Sequence, residues 1–174
     1  MIRTARIDDL PRLRAIEAAA GEAFRALGMA AIADDAPPTL EELAVYQRSG
    51  RCWVAADAEG TPAGYILVDR MDGNAHIEQV TVHPKHARQG IGRSLIGHAA
   101  EWAQANGLAR LTLTTFRDVP WNAPYYQRLG FVSVPETLWT DGIRRTVLAE
   151  GDHGLDAWPR VVMELPLESG PGRS

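Results

Sequence analysis

The residues best suited to chemistry in this sequence lie in one short run, Lys85-His86-Ala87-Arg88-Gln89-Gly90-Ile91-Gly92-Arg93-Ser94. Two glycines separated by one residue let a backbone turn tightly and approach a ligand closely. A turn that opens a helix also offers unbonded N–H groups at the positive end of the helix dipole. Lys85, Arg88 and Arg93 surround the turn with fixed positive charge, and His86 stands among them. The chemistry this suits is the holding of a phosphate. Taken alone, the Gly-Ile-Gly triplet reads equally well as an ordinary strand-to-helix turn; the flanking cations favour the anion site. No Gly-Lys-Ser or Gly-Lys-Thr follows, which excludes a Walker-type loop, and Leu95 stands where a dinucleotide fingerprint needs its third glycine.

Other reactive side chains are sparse. Cys52 is the only cysteine, which leaves no internal disulfide and no cysteine cage for a metal, and the five histidines show no spacing with carboxylates that suggests a metal site. Cys52 reads as a small buried strand residue. With 174 residues, 45% apolar and 23% charged, the composition is that of one globular domain, 1–167, followed by a polar tail, 168–174. A net charge of -4 lacks the basic footprint of a nucleic-acid binder. No stretch approaches the roughly 20 apolar residues of a membrane span, and the N-terminus has no signal-peptide core. A cytoplasmic protein without nucleic-acid or membrane partners is expected.

The elements that must position the loop follow from periodicity. A strand at 2–7 leads to a helix that Asp8 or Asp9 can cap, with Pro11 in its first turn and Leu10, Leu13, Ile16 and Ala20 as its buried stripe. Residues 21–38 read as a broken helix and loop. Thr39 and Glu42 have capping-box spacing for a helix at 40–47. Turn signals at Glu59-Gly60-Thr61-Pro62 and Asp72-Gly73-Asn74 separate three strands, 52–57, 63–71 and 76–83, the last running straight into the glycine loop. A helix with Leu95, Ala99 and Trp102 on one stripe ends at Asn106-Gly107, and an alternating strand at 108–116 returns parallel to the strand before it, as a βαβ unit requires. A short helix at 124–129, a strand from Gly130-Phe131, an irregular or partly helical region at 135–158 and a closing strand at 160–165 complete the chain. The fold class is α/β (α+β), a mixed and mainly antiparallel sheet flanked by helices.

At the level of motifs, Val80-Thr81-Val82-His83-Pro84 followed by Gly90-Ile91-Gly92-Arg93-Ser94-Leu95 resembles the central strand and pyrophosphate loop of the GNAT superfamily of acetyl-CoA-dependent N-acetyltransferases. Downstream, Tyr125-Tyr126-Gln127-Arg128-Leu129-Gly130-Phe131 is similar to that family's aromatic-Tyr-x-x-x-Gly-Phe segment. Two departures stand out. Ala87 replaces a frequent Arg or Gln, and Val119 replaces a frequent Asn, with Asn122 three residues later as a possible substitute for that cofactor contact.

The resemblance implies acetyl-CoA inserted between splayed strands. The backbones of Val80 and Val82 would pair with its pantetheine, and its pyrophosphate would sit on the amides of Arg88, Gln89, Gly90, Ile91, Gly92, Arg93 and Ser94. Transfer goes directly to a primary amine in a ternary complex, without metal and without a covalent enzyme intermediate. Such chemistry needs a base for the ammonium, and Glu78, on one strand face with His76, Val80 and Val82, is the candidate, His76 being the weaker one; the competing reading is a solvated strand carboxylate. Tyr126 matches the position that protonates the leaving thiolate, where an unmotivated reading would see a half-buried aromatic. Phe24, Arg25, Met29 and Trp121, with Asp34 and Asp35, are candidates to line the acceptor site, against the plainer readings of packing and solvated loop. The acceptor is a small-molecule or peptide amine, a homodimer is an open option, and the rival function is a non-catalytic acyl-CoA sensor.

Overall fold

The computed structural model describes residues 1–168. The expected tail at 168–174 therefore lies outside the described residues except for Glu168. The strands are β1 Ile2–Thr4, β2 Cys52–Ala56, β3 Pro62–Met71, β4 Asn74–Val82, β5 Arg110–Phe116, β6 Val132–Ser133 and β7 Arg160–Pro166. The helices are α1 Leu10–Gly21, α2 Ala30–Ala33, α3 Leu40–Arg48, α4 Ile91–Ala105, α5 Ala123–Arg128 and α6 Asp141–Asp152. Seven strands form one sheet in the order β1-β2-β3-β4-β5-β7-β6, parallel only between β4 and β5 among the registers described. This is the mixed, mainly antiparallel sheet expected, with α4 as the crossover.

By its internal contacts the chain forms two compact units. Met1–Val68 and Gln79–Ala99 make the first; Asp69–Glu78 and the described residues from Ala100 to Glu168 make the second. β3, β4 and α4 each run through both.

In the first unit, β1 and β2 pair antiparallel, as do β2 and β3, with a bulge between Ala55 and Ala56. Leu10, Leu13 and Ile16 of α1 and Leu43 of α3 pack with Cys52, Val54, Tyr65 and Leu67 into one buried cluster. The 3.6-residue repeat of α1 accounts for its share of that cluster. Thr39 caps α3 as its spacing predicts, its hydroxyl accepting the Glu42 N–H at 3.1 Å. Asp9 differs from expectation: its carboxylate turns back to Arg3 and to the Arg6 N–H at 2.7 Å and caps a 3-10 turn at Ile7–Asp9, because the strand ends at Thr4.

Gly64 in β3 has no room for a side chain. A Cβ there would meet the Thr81 carbonyl at 3.0 Å, the Ile91 side chain at 3.2 Å and Val82 at 3.3 Å. Two of these neighbours, Thr81 and Val82, belong to β4, and the third opens α4. Gly64→Ala should lower the melting temperature by the equivalent of about 1–3 kcal/mol, the usual cost of overpacking against backbone, as a thermal melt would register.

In the second unit, β5 pairs with β7 along its whole length, from Arg110↔Pro166 to Phe116↔Arg160, and Leu111, Leu113 and Met163 are buried. The region expected to be irregular or partly helical, 135–158, contains the twelve-residue helix α6. Two caps explain it: the Thr140 hydroxyl accepts from Ile143 N–H at 3.4 Å, and Asp72 accepts from Gly142 N–H at 2.8 Å. The second cap comes from a turn far away in sequence, which local spacing does not reveal. The strand expected from Gly130-Phe131 shrinks to Val132–Ser133.

Candidate active site

The glycine loop belongs to the first unit. β4 ends at Val82, and a 3-10 turn at Pro84–His86 intervenes, capped by His83 Nδ1 accepting the Lys85 N–H at 3.1 Å. The strand thus does not run straight into the loop. Arg88 and Gly90 both take left-handed backbone, with φ of 62° and 75°. Between them and the first turn of α4, the amides from Arg88 to Arg93 make no hydrogen bond among the described residues. Ser94 leaves that set, because its N–H donates to the Gly90 carbonyl at 3.0 Å; the sequence reading extended the donor run one residue too far. A continuous row of free amides with left-handed residues in it, at the positive end of a fifteen-residue helix, is a set of donors that suits an anion. The donor set fits a pyrophosphate, and Arg88 and Arg93 add charge beside it. Lys85, Arg88, Gln89, Gly90, Arg93 and Ser94 are exposed, so a ligand reaches them without rearrangement.

At Gly90 a Cβ would meet nothing within 4 Å, so the glycine is required by its φ and not by crowding. Gly90→Val should cost about 1–2 kcal/mol of left-handed strain or flip the turn. Calorimetric titration with CoA should then show affinity at least about tenfold weaker in a folded variant, since the row of amides no longer faces one point.

Val80 and Val82 lie on β4, both partly exposed. The parallel register of β4 with β5 comprises only Ala75↔Leu111 and His76↔Thr112. Ile77 and Glu78, within the second unit, lie past its end.

Glu78 and His76 do share a face: Glu78 Oε2 is 3.9 Å from His76 Nε2. His76 is buried, its Nδ1 bonded to Thr112 Oγ1 at 2.8 Å, and burial pushes its pKa down to about 4. It is a neutral ring at physiological pH and a poor base. Among the described residues Glu78 has no Lys or Arg partner, and its pKa is pushed up to about 7, first by burial and then by the negative charges of Asp69 and Glu150. Its side chain is 46% exposed, so the upward push acts on a carboxylate walled by protein on one side and open on the other.

Glu150, on α6, was not anticipated. It accepts from the Thr114 hydroxyl at 2.7 and 2.9 Å and stands 3.3 Å from Arg160. Burial raises its pKa, while Thr114 and Arg160 pull it back. Thr112 and Thr114, opposite Leu111 and Leu113 on β5, hold His76 and Glu150.

Tyr126 stands in α5, its ring edge-on to Phe131 at 5.7 Å and to Tyr125 at 5.4 Å. Burial raises its pKa well above the ordinary value, and its hydroxyl has no hydrogen-bond partner among the described residues. Asn122 is the N-cap of α5 in an unusual conformation, φ -111° and ψ -116°, yet its side chain caps nothing. Its carbonyl instead accepts the Tyr126 N–H at 3.0 Å.

The acceptor candidates are scattered. Met29 is 3% exposed, a packing residue, and Arg25 is tied to Glu22 and Asp34 on the surface. Phe24 is partly buried, and Trp121 is 40% exposed. Cys52 is buried and its thiol is pushed up to about 12, first by desolvation, which keeps it from acting as a nucleophile. Among the described residues no group of three or more metal-ligating side chains could hold a metal ion, and no helix is long and apolar enough to cross a membrane.

The chain is similar to known proteins. Streptothricin acetyltransferase of Streptomyces lavendulae is 34% identical over 112 residues, 60% of this chain and 55% of that protein, so the chain matches about half the length of this relative. In fold it is similar to the ribosomal-protein-S18-alanine N-acetyltransferase of Escherichia coli, at 21% identity over 100% of this chain and 97% of that one, with a TM-score of 0.67. It is also similar in fold to the PaiA N-acetyltransferase of Thermoplasma acidophilum, solved in complex with coenzyme A, at 19% identity over 95% and 98% of the two chains, with a TM-score of 0.70. The match that spans both the glycine loop and the Tyr126 segment is to a family, over residues 13–131, and it is on that span that the chain belongs to the acetyltransferase (GNAT) family.

Proposed function

We propose that the protein, acting as one cytoplasmic catalytic domain over residues 1–167, transfers the acetyl group of acetyl-CoA directly to a primary amine in a ternary complex. The observation that carries this reading is the unbroken row of free amides from Arg88 to Arg93 at the start of α4, on the segment matched to the family. Those amides would take the pyrophosphate, with Arg88 and Arg93 beside it, while the backbones of Val80 and Val82 would pair with pantetheine as an added strand does. The uncommitted side chain of Asn122 is available for a further polar contact.

Acetyl-CoA supplies an acetyl group activated as a thioester. The attacking nitrogen needs its lone pair, so a proton must leave the ammonium, and Glu78 takes it directly or through a water. The carbon–nitrogen bond forms as the carbon–sulfur bond breaks, the nitrogen gives up its second proton to water, and the Tyr126 hydroxyl donates to the departing sulfur and regains its proton from that water. Because the phenol is a weaker acid than a thiol of pKa about 8.5, this donation acts first as a hydrogen bond, with the proton following as sulfur is released. Burial of Cys52 supports direct transfer over an acyl-cysteine route.

The test is a screen of amines with purified protein and acetyl-CoA, following release of the CoA thiol and the mass of the product. Streptothricin, which names a relative, is the first acceptor to try. An amine heavier by one acetyl group supports the reading; tight CoA binding with no turnover on any amine class would support an acyl-CoA sensor in its place.

A further inference from the structure

One carboxylate in the first unit has partners but no counter-charge. Glu17 of α1 is partly exposed. Its Oε2 accepts from the Tyr65 hydroxyl of β3 at 2.8 Å and from the Thr81 hydroxyl of β4 at 2.7 Å. The Gln79 amide of β4 donates to both carboxylate oxygens, at 3.1 and 3.2 Å, and to Thr81 Oγ1 at 2.7 Å. Every one of these donors is neutral. Among the described residues no Lys, Arg or His pairs with Glu17, and Asp35 brings a second negative charge near it. Burial is the largest influence on its pKa and raises it, with Thr81 and Tyr65 pulling the other way.

A carboxylate partly withdrawn from water is normally matched by a cation, because neutral donors return only part of the lost hydration. Oε1 accepts from Gln79 alone, so it retains acceptor capacity. Gln79 and Thr81 flank Val80, which places Glu17 beside the very segment of β4 proposed to carry acetyl-CoA.

We propose that Glu17 is a specificity-determining residue whose carboxylate receives a positively charged group of the acceptor, oriented by Tyr65, Gln79 and Thr81. The inference rests on the acetyl-transfer reading and narrows it, naming the acceptor as a molecule that carries a cation in addition to the amine that is acetylated. A carboxylate that merely clamped β4 would act on acetyl-CoA binding instead, and the two roles separate in measurement.

The experiment is calorimetric titration of CoA-saturated protein with putrescine and cadaverine, each against the amino alcohol of the same chain length. At least one diamine should bind about tenfold more tightly than its amino alcohol, the size of one charge-assisted hydrogen bond. Glu17→Gln keeps the shape and should abolish that preference, with CoA affinity unchanged within about twofold. If this variant does not fold, Glu17→Asp retains the charge, withdraws it from its partners and should reduce the preference. No preference in the wild-type protein, a preference that survives substitution, or a loss of CoA affinity in step with it overturns the proposal. Thiol release followed alongside keeps the two readings apart. A Glu17-dependent preference without acetylated product leaves the cation site standing and sinks acetyl transfer; product without the preference does the reverse.

Discussion

Tyr126→Phe should lower kcat about a hundredfold or more while the KM for acetyl-CoA stays within about twofold of wild type, the signature of a group that acts as charge develops and not in binding. The substitution keeps the ring edge-on to Phe131 at 5.7 Å and to Tyr125 at 5.4 Å, so α5 should hold its place. The lost hydroxyl has no hydrogen-bond partner among the described residues, so the melting temperature should not fall. Burial, the largest cause, holds the phenol protonated well above the ordinary tyrosine range. The deficit in kcat should therefore be flat from about pH 6 to about pH 9. Steady-state kinetics across that range, with chemistry shown to limit the rate, decide it. Undiminished kcat removes Tyr126 from the mechanism, and a deficit that grows or shrinks with pH assigns the effect to a group that titrates there.

The parts of the site legible in the sequence are those whose function depends on local backbone. A glycine in the left-handed region, cations around it and a helix behind it are all neighbours in the chain. The carboxylates behave differently. Glu150 sits in a stretch whose helix α6 is capped by Asp72 of a distant turn as well as by Thr140, so the place of its carboxylate had no local signal. Thr112 and Thr114 alternate with leucines as residues of a solvent face would, yet their hydroxyls hold His76 and Glu150. Glu17 has no signal in the spacing of α1, and its three neutral donors come from β3 and β4.

Elements were legible where propensity and packing agree. The stripe of α1, the Thr39 cap and the βαβ crossover follow from short-range pattern alone. β1 stops at Thr4, short of the extended pattern that reaches Ile7, and the Asp9 carboxylate binds the Arg3 side chain and the Arg6 N–H. Gly64 gave no cue beyond being a glycine in a strand; its necessity lies in Thr81 and Ile91, which are far away in sequence.

Glu78→Gln separates activity from stability, because the property that makes this carboxylate a base makes it costly to keep. A base works only when deprotonated, so with a pKa of about 7 the wild-type kcat/KM should rise with pH through neutrality and then level. The variant lacks that limb. Its deficit should widen from about pH 6 upward to about 10²-fold or more, then narrow as a primary amine with a pKa near 10 begins to lose its own proton. The folded protein holds this proton more tightly than the unfolded chain, whose carboxylate titrates near 4.5. Wild-type stability therefore declines as pH rises from about 4.5 to about 7, and the Gln variant is spared that decline. Above neutrality it should be the more stable protein, by about 1 kcal/mol once the half-open position of the side chain is discounted, with no gain below pH 4.5. Thermal melts and pH–rate profiles on the same two proteins measure both signs. His76, with a pKa of about 4, cannot supply a limb near neutrality. A variant that keeps the limb unchanged would therefore move the role of base to a group other than either of them.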